Sequence, residues 1–270
     1  MSTSKPKKSL FVRILKWTGI SLLLIILLLI AAPFIFKDKI VSIVKEQANA
    51  NLNAKVDFGD FDLSLISSFP DFRFEIEKVS VIGIDEFNQD TLAYIGKLKT
   101  DINLKSVLSG DQYQINSIVI DKARIMAKVL KSGKANWDIA KPSADTTQQV
   151  ATPEDTSATK FAMKLKEFVI SEAYIVYDDQ QGNMYAKLEN FNYTLKGDFT
   201  QDNFILSNLL DIAKTTYKMD GVNYLTDVHT KLKADLDMDM PKMKFTFKEN
   251  EFSLNDLTLG FDGYVLMPDT

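Results

Sequence analysis

The sequence predicts a mainly β protein behind an N-terminal membrane helix. Three observations carry that expectation. A cationic start leads into one uncharged apolar run. Apolar residues then recur every three to four positions for one short stretch, and after residue 53 every second position. Turn signals, such as Ser109-Gly110-Asp111, Gln181-Gly182-Asn183 and Asp262-Gly263, separate the alternating runs.

The first element is the run from Trp17 to Phe36, a span of the length that crosses a bilayer core of about 30 Å. Trp17, Ile20, Leu24, Leu28, Phe34 and Phe36 mark it as a membrane anchor, with bulky aromatics at both ends. Lys5, Lys7, Lys8, Arg13 and Lys16 precede it and no acid occurs before Asp38. The positive-inside rule therefore assigns residues 1–16 to the cytoplasm and everything after Lys37 to the far side. A cleaved signal peptide is the competing reading. Ala31 and Ala32 offer small residues, but Pro33 follows at once and the run exceeds a signal h-region of about 7 to 15 residues.

Composition narrows the function classes. There is no cysteine, so disulfides, thiolate metal sites and cysteine nucleophiles are excluded. The net charge is −4, but removing the five basic residues of the tail leaves 27 basic against 36 acidic, a net −9. Such a surface repels phosphate backbones, so no nucleic-acid partner is expected. The basic tail suits anionic lipid heads.

Residues 37–53 read as a short amphipathic helix, with Val41, Val44, Ala48 and Leu52 along one side. Alternation then begins: Phe72, Phe74 and Ile76, then Val79 and Val81; Ile118 and Ile120, then Ala123, Ile125, Ala127 and Val129. Later runs are Phe191, Tyr193 and Leu195; Leu232 to Met240; Met243, Phe245 and Phe247; and Leu257, Leu259 and Phe261. Between a first β segment, 54–140, and a second, 161–270, residues 141–160 are rich in Ser, Thr, Gln, Pro and Asp. That composition cannot offset its ordering entropy and predicts a flexible linker or loop.

The two β segments share a pattern. Ile118-Val119-Ile120-Asp121-Lys122-Ala123-Arg124-Ile125 overlays Phe168-Val169-Ile170-Ser171-Glu172-Ala173-Tyr174-Ile175 at a spacing of 50 residues. This suits an elongated, repetitive sheet. About a dozen one-faced strands accompany one short helix, so something else must cover the apolar face. A second sheet, a closed barrel and a groove holding a non-protein ligand all satisfy that need, and the residues alone favour the sandwich or barrel. A sheet ending at the last run would leave an open edge, so it is expected to continue in a longer chain.

No catalytic or cofactor site is expected. His229 is the single histidine, in strand-like sequence, and reads as a polar surface residue. Asp235, Asp237 and Asp239 alternate with apolar residues, but Met240 stands where a calcium loop needs Gly, so they read as a solvated sheet face and not a metal site. The Asn192-Tyr193-Thr194 sequon is a pattern common by chance. Trp137 reads as packing in a turn, with Asn136 bonding backbone.

Lys131-Ser132-Gly133-Lys134-Ala135-Asn136-Trp137-Asp138-Ile139 carries a resemblance. With the anchor, the helix, Ala54-Lys55-Val56-Asp57-Phe58-Gly59-Asp60 and Ser106-Val107-Leu108-Ser109-Gly110, it resembles the N-terminal region of AsmA-family proteins. Gly133, Asn136, Trp137 and Asp138 form the family-like motif. The resemblance implies an elongated, curved antiparallel β-groove, anchored in a bacterial inner membrane and extending into the periplasm. It implies a non-enzymatic role in outer-membrane biogenesis, transferring or shielding phospholipid between envelope membranes, with acyl chains as partners. An assembly or chaperone factor for outer-membrane proteins, with envelope protein partners, is the alternative. On the lipid reading the strand residues Phe72, Phe74, Ile76, Ile118, Ile120, Leu236, Met238, Phe245 and Phe247 would face the lipid.

Overall fold

The computed structural model describes residues 16–18, 20–21, 39, 41–64, 71–109, 114–141, 165–199 and 201–267. The expected transmembrane run and the expected linker therefore lie almost wholly outside the described residues. Lys16 to Thr18 and Ile20 to Ser21 are helical, and Trp17 and Ile20 are exposed. Lys5, Lys7, Lys8, Arg13, Leu24, Leu28, Phe34 and Phe36 are outside the description. Among the described residues no helix is long and apolar enough to cross a membrane.

Helix α1 covers residues 41–51. The strands that follow are β1 (Ala54–Asp57), β2 (Phe61–Ser64), β3 (Asp71–Gly83) and β4 (Thr91–Asn103), then a short helix α2 (Leu104–Ser109). Next come β5 (Ile115–Val129), β6 (Glu167–Asp179), β7 (Met184–Lys196) and β8 (Asn203–Met219). The last three are β9 (Val222–Asp239), β10 (Lys244–Leu254) and β11 (Leu257–Leu266). All eleven strands form one sheet in the order β1-β3-β4-β5-β6-β7-β8-β9-β10-β11, with β2 also on β3. Since β1 and β11 lie at opposite ends of this order, the sheet is open. It is neither the sandwich nor the barrel that the residues alone favour.

The expected all-antiparallel pairing needs one correction. β5 and β6 are parallel, with Ile118 opposite Phe168 and Ile125 opposite Ile175. Every other neighbouring pair is antiparallel, most of them joined by a short turn. Residues 130–166 instead give enough chain to carry it back to the starting end of the strand, as a parallel pair requires.

A line of β-bulges crosses the sheet from β3 to β7. Lys78, Lys122, Glu172 and Asn190, in β3, β5, β6 and β7, all have φ between 51 and 55°. In β4 the matching position is Gly96, where a Cβ would stand 3.1 Å from the Lys122 Cβ and 3.2 Å from the Asp121 carbonyl oxygen. A side chain there would force its neighbours to give way, so glycine lets the two backbones keep this close approach. A bulge adds one residue, bends its strand and shifts the alternation by one step. Because these neighbouring strands take the shift along the same line, pairing between them survives it. Asp227 in β9 and Glu249 in β10, at φ 51 and 50°, are separate bulges, Glu249 pairing beside Ala234 and so well along β9 from Asp227. Side chains serve the backbone N–H groups that the bulges release: Glu172 N–H donates to Asn192 Oδ1 at 3.0 Å and Asp235 N–H to Asn250 Oδ1 at 2.7 Å.

The largest buried cluster is at the first end of the sheet. Phe58, Phe61 and Ile76 pack together with Val41 of α1, Leu63, Phe74 and Val79 around them. The Phe61 and Phe74 rings meet edge to face at 4.8 Å. The apolar side of α1 thus covers the start of one sheet face and nothing beyond it.

Candidate functional site

Among the described residues, that face continues across the sheet without a covering layer. Cross-strand partners share a face, and the register links Ile76, Leu98, Ile120, Ile170, Tyr193, Leu210, Leu232, Phe252 and Leu259 into one row over nine strands. A neighbouring row runs Phe74, Thr100, Ile118, Phe168, Leu195, Asn208 and Ala234. Phe72 pairs with Ile102. Leu236 stands between Leu206 and Phe247, and Met238 between Phe204 and Phe245. All nine residues expected from the sequence to share a face therefore do so. The strands between them, β4, β6 and β8, supply the residues that join them.

Burial shows where this face bends. Ile76, Ala123, Ala173, Ile212 and Thr230 are buried beside the bulge line, and Ala234 and Asn250 beside the separate bulge at Glu249. Away from the line, Ile118, Ile120, Phe168, Leu236, Phe245 and Phe247 are only half-buried. Two small residues, Ala123 and Ala173, at 4% and 0% exposure, leave room for the flanking side chains to converge. That pattern is the inside of a fold in a sheet. The result is a trough whose floor runs across the strands. From β3 to β10 its length is roughly 34 Å at about 4.8 Å per strand.

The Gly133-to-Asp138 motif lies at the end of β5, between the sheet and α1. Gly133, at φ 83°, makes the turn after β5, with its N–H donating to Leu130 O at 2.9 Å. Asn136 then bonds back to β5: its Nδ2 donates to Met126 O at 2.7 Å and its Oδ1 accepts Lys128 N–H at 2.9 Å. Trp137 stacks on Tyr177 with ring centroids 5.9 Å apart. Asp138 N–H donates to Ala135 O at 3.2 Å. The segment ends at α1, where Asn53 N–H donates to Ile139 O and Lys141 Nζ donates to Asn49 O and Ala50 O. The motif thus fastens the end of β5 to the C-terminus of the helix.

The opposite face is polar. Arg73 forms a two-pronged pair with Asp101 at 2.7 and 2.9 Å, which raises the guanidinium pKa. Lys97 reaches Glu75 at 2.6 Å and Glu77 at 2.8 Å, and hydrogen bonds to the two carboxylates raise its pKa. Asp235, Asp237 and Asp239 each hold a separate partner, respectively Ser207 Oγ, Lys248 Nζ and Lys242 Nζ. His229 Nε2 lies 2.9 Å from Asp211 Oδ1. Among the described residues no three metal-ligating side chains converge.

A model of the AsmA family matches residues 11–258. The chain belongs to the AsmA family. Neither a curated protein nor a solved structure gives a match. Membership suggests an envelope function of the lipid-transfer type. For this AsmA-family chain the trough is the feature of the fold that such a function would use. Sequence reasoning found its apolar rows but not its floor. The signal was present in the steps from Ile76 to Val79 and from Ile120 to Ala123, where the period of two slips to three.

Proposed function

We infer that this protein is a non-catalytic lipid-handling protein of the bacterial envelope, anchored in the inner membrane with its N-terminus cytoplasmic and its sheet in the periplasm. Phospholipid acyl chains lie along the trough while head groups stay wet at its rim. The observation that supports this most is the unbroken apolar row from Ile76 to Leu259 on a sheet that no second layer covers among the described residues. Burial is worth about 0.8 kcal/mol per methylene, so a continuous apolar floor removes most of the cost of moving a chain through water. With no energy input, such a path equilibrates lipid between its ends. Membranes and lipid-facing strands also explain why the topology-setting cations sit apart from the acidic remainder.

The test is mass spectrometry of lipid retained by the detergent-purified chain. Phospholipid retained in fixed proportion to protein supports the reading, and a lipid-free protein whose trough excludes added phospholipid refutes it. A second reading rests on β11, whose Leu257, Leu259, Phe261, Tyr264 and Val265 are exposed and which, among the described residues, pairs on one side only. An edge of this kind adds an extended segment of another protein as a further strand, as an assembly factor for outer-membrane proteins would.

A further inference from the structure

A chain of side-chain amides lies on the trough floor and ends in a donor that has no acceptor among the described residues. Tyr193 Oη donates to Asn208 Oδ1 at 2.8 Å, and Asn208 Nδ2 donates to Ala234 O at 3.3 Å. On the other side of the same peptide unit, Asp235 N–H donates to Asn250 Oδ1 at 2.7 Å. One peptide of β9 is thus held from β8 and from β10 by two asparagines. Asn250 is 3% exposed, and among the described residues its Nδ2 has no hydrogen-bond partner. The amide cannot be turned over, because that would set its NH2 group against the Asp235 N–H.

The position is on the apolar face. Asn250 is opposite Phe261 and two residues before Phe252, which pairs with Leu232 in the long apolar row. A buried amide donor needs an acceptor lone pair, and apolar neighbours cannot supply one. We propose that Asn250 is the recognition point for the carbonyl oxygen of an acyl chain in the trough. The ligand is then a carbonyl-bearing lipid, an ester lipid or a free fatty acid, and not any hydrocarbon that fits. Phe261, opposite Asn250, is 41% exposed, and on this proposal it turns aside to admit the carbonyl. This rests on the lipid reading above and deepens it: the amide sets how far along the floor a chain stops.

The experiment uses the full chain in detergent micelles. Equal amounts of dipalmitoyl phosphatidylglycerol and its dihexadecyl ether analogue are offered, and retained lipid is counted by mass spectrometry. A well-made buried hydrogen bond predicts about tenfold preference for the ester. Asn250→Leu should bring the ratio to about one. Palmitate displacing the ester would assign the same donor to a free carboxylate and supports the proposal. Equal retention of ester and ether by the unaltered protein overturns it while leaving the acyl-chain reading intact. Retention of neither overturns both. If Asn250→Leu does not fold, infrared spectra of the unaltered protein with carbonyl-13C phosphatidylglycerol decide. A narrow, low-frequency carbonyl component absent from empty micelles is expected, and an unchanged band refutes the assignment.

Discussion

Asp121 and Ser171 stand opposite each other in the parallel β5–β6 pair, with Ser171 Oγ donating to Asp121 Oδ1 at 2.6 Å. They are also equivalent positions of the two eight-residue segments that repeat 50 residues apart. Each is followed by a bulge residue, Lys122 or Glu172, and then by a buried alanine. The two copies therefore match in sequence, in pairing and in backbone conformation.

This register predicts a crosslink. The chain has no cysteine, so Asp121→Cys with Ser171→Cys introduces the only two thiols. Partners across neighbouring strands fall within disulfide reach. Oxidation should give a faster-migrating monomer on a non-reducing gel. Asp121→Cys with Glu167→Cys, which an antiparallel arrangement could bring closer, should give none.

How much of this was readable beforehand follows from what each pattern depends on. Alternation is local, so the strands around Phe74, Ile120 and Phe245 were visible, as was the helix carrying Val41. The strands β4 and β8 were missed because their faces mix Thr100 or Asn208 with apolar residues. Strand direction is not local. The repeat at 118–125 and 168–175 held the parallel register, but nothing in eight residues tells whether two alike strands lie side by side. The bulge line needed all the slips to be compared at once, since one slip alone resembles the end of a strand.

The polar face gives a pH prediction. The hydrogen bond from Lys97, and then its charge, holds the Glu77 carboxyl below its ordinary value. A depressed carboxylate adds stability above the unfolded value, about 4.3 for Glu, and loses it as pH falls through the folded value. Lys97→Met should therefore lower the urea midpoint at pH 7. The difference from the unaltered protein should shrink steadily below about pH 4. A pH-independent difference would mean that packing of the lysine stem, and not charge, was lost.

Asn136 should matter more than its neighbour Trp137. Asn136 is 3% exposed and serves two backbone groups of β5, whereas Trp137 is 41% exposed and stacks on one ring. Asn136→Ala leaves both backbone groups unserved and is expected to cost about 2–3 kcal/mol, against about 1 kcal/mol for Trp137→Ala. Urea unfolding of both variants measures this. The same Asn136→Ala variant should expose the end of α1 to hydrogen exchange, because the segment that reaches Asn49 and Ala50 is no longer fastened.

Left-handed backbone at Lys122 and Glu172 gives a prediction of opposite sign. Glycine adopts φ near 50° without the Cβ penalty, so Lys122→Gly and Glu172→Gly should raise stability or leave it unchanged. Valine at either site meets its β-branch against the preceding carbonyl and should cost about 1–2 kcal/mol. A valine variant as stable as the original would mean the bulge has relaxed and the strand halves have slipped. Reactivity of a cysteine placed at Ile125 would then change with it.

Charge on the trough floor separates lipid binding from folding, but only at a well-chosen site. Phe74 packs edge-on to Phe61 beside the main buried cluster, so Phe74→Asp should lower stability by several kcal/mol and lose lipid for that reason alone. Phe245 is half-buried between Met238 and Val265, far along the sheet from that cluster. Phe245→Asp should leave the far-ultraviolet circular dichroism and urea midpoint nearly unchanged. Retained phospholipid should nevertheless fall severalfold, since a carboxylate in an acyl path needs either water or an absent partner. Undiminished lipid in Phe245→Asp would show that acyl chains do not run past β10, whatever Phe74→Asp does.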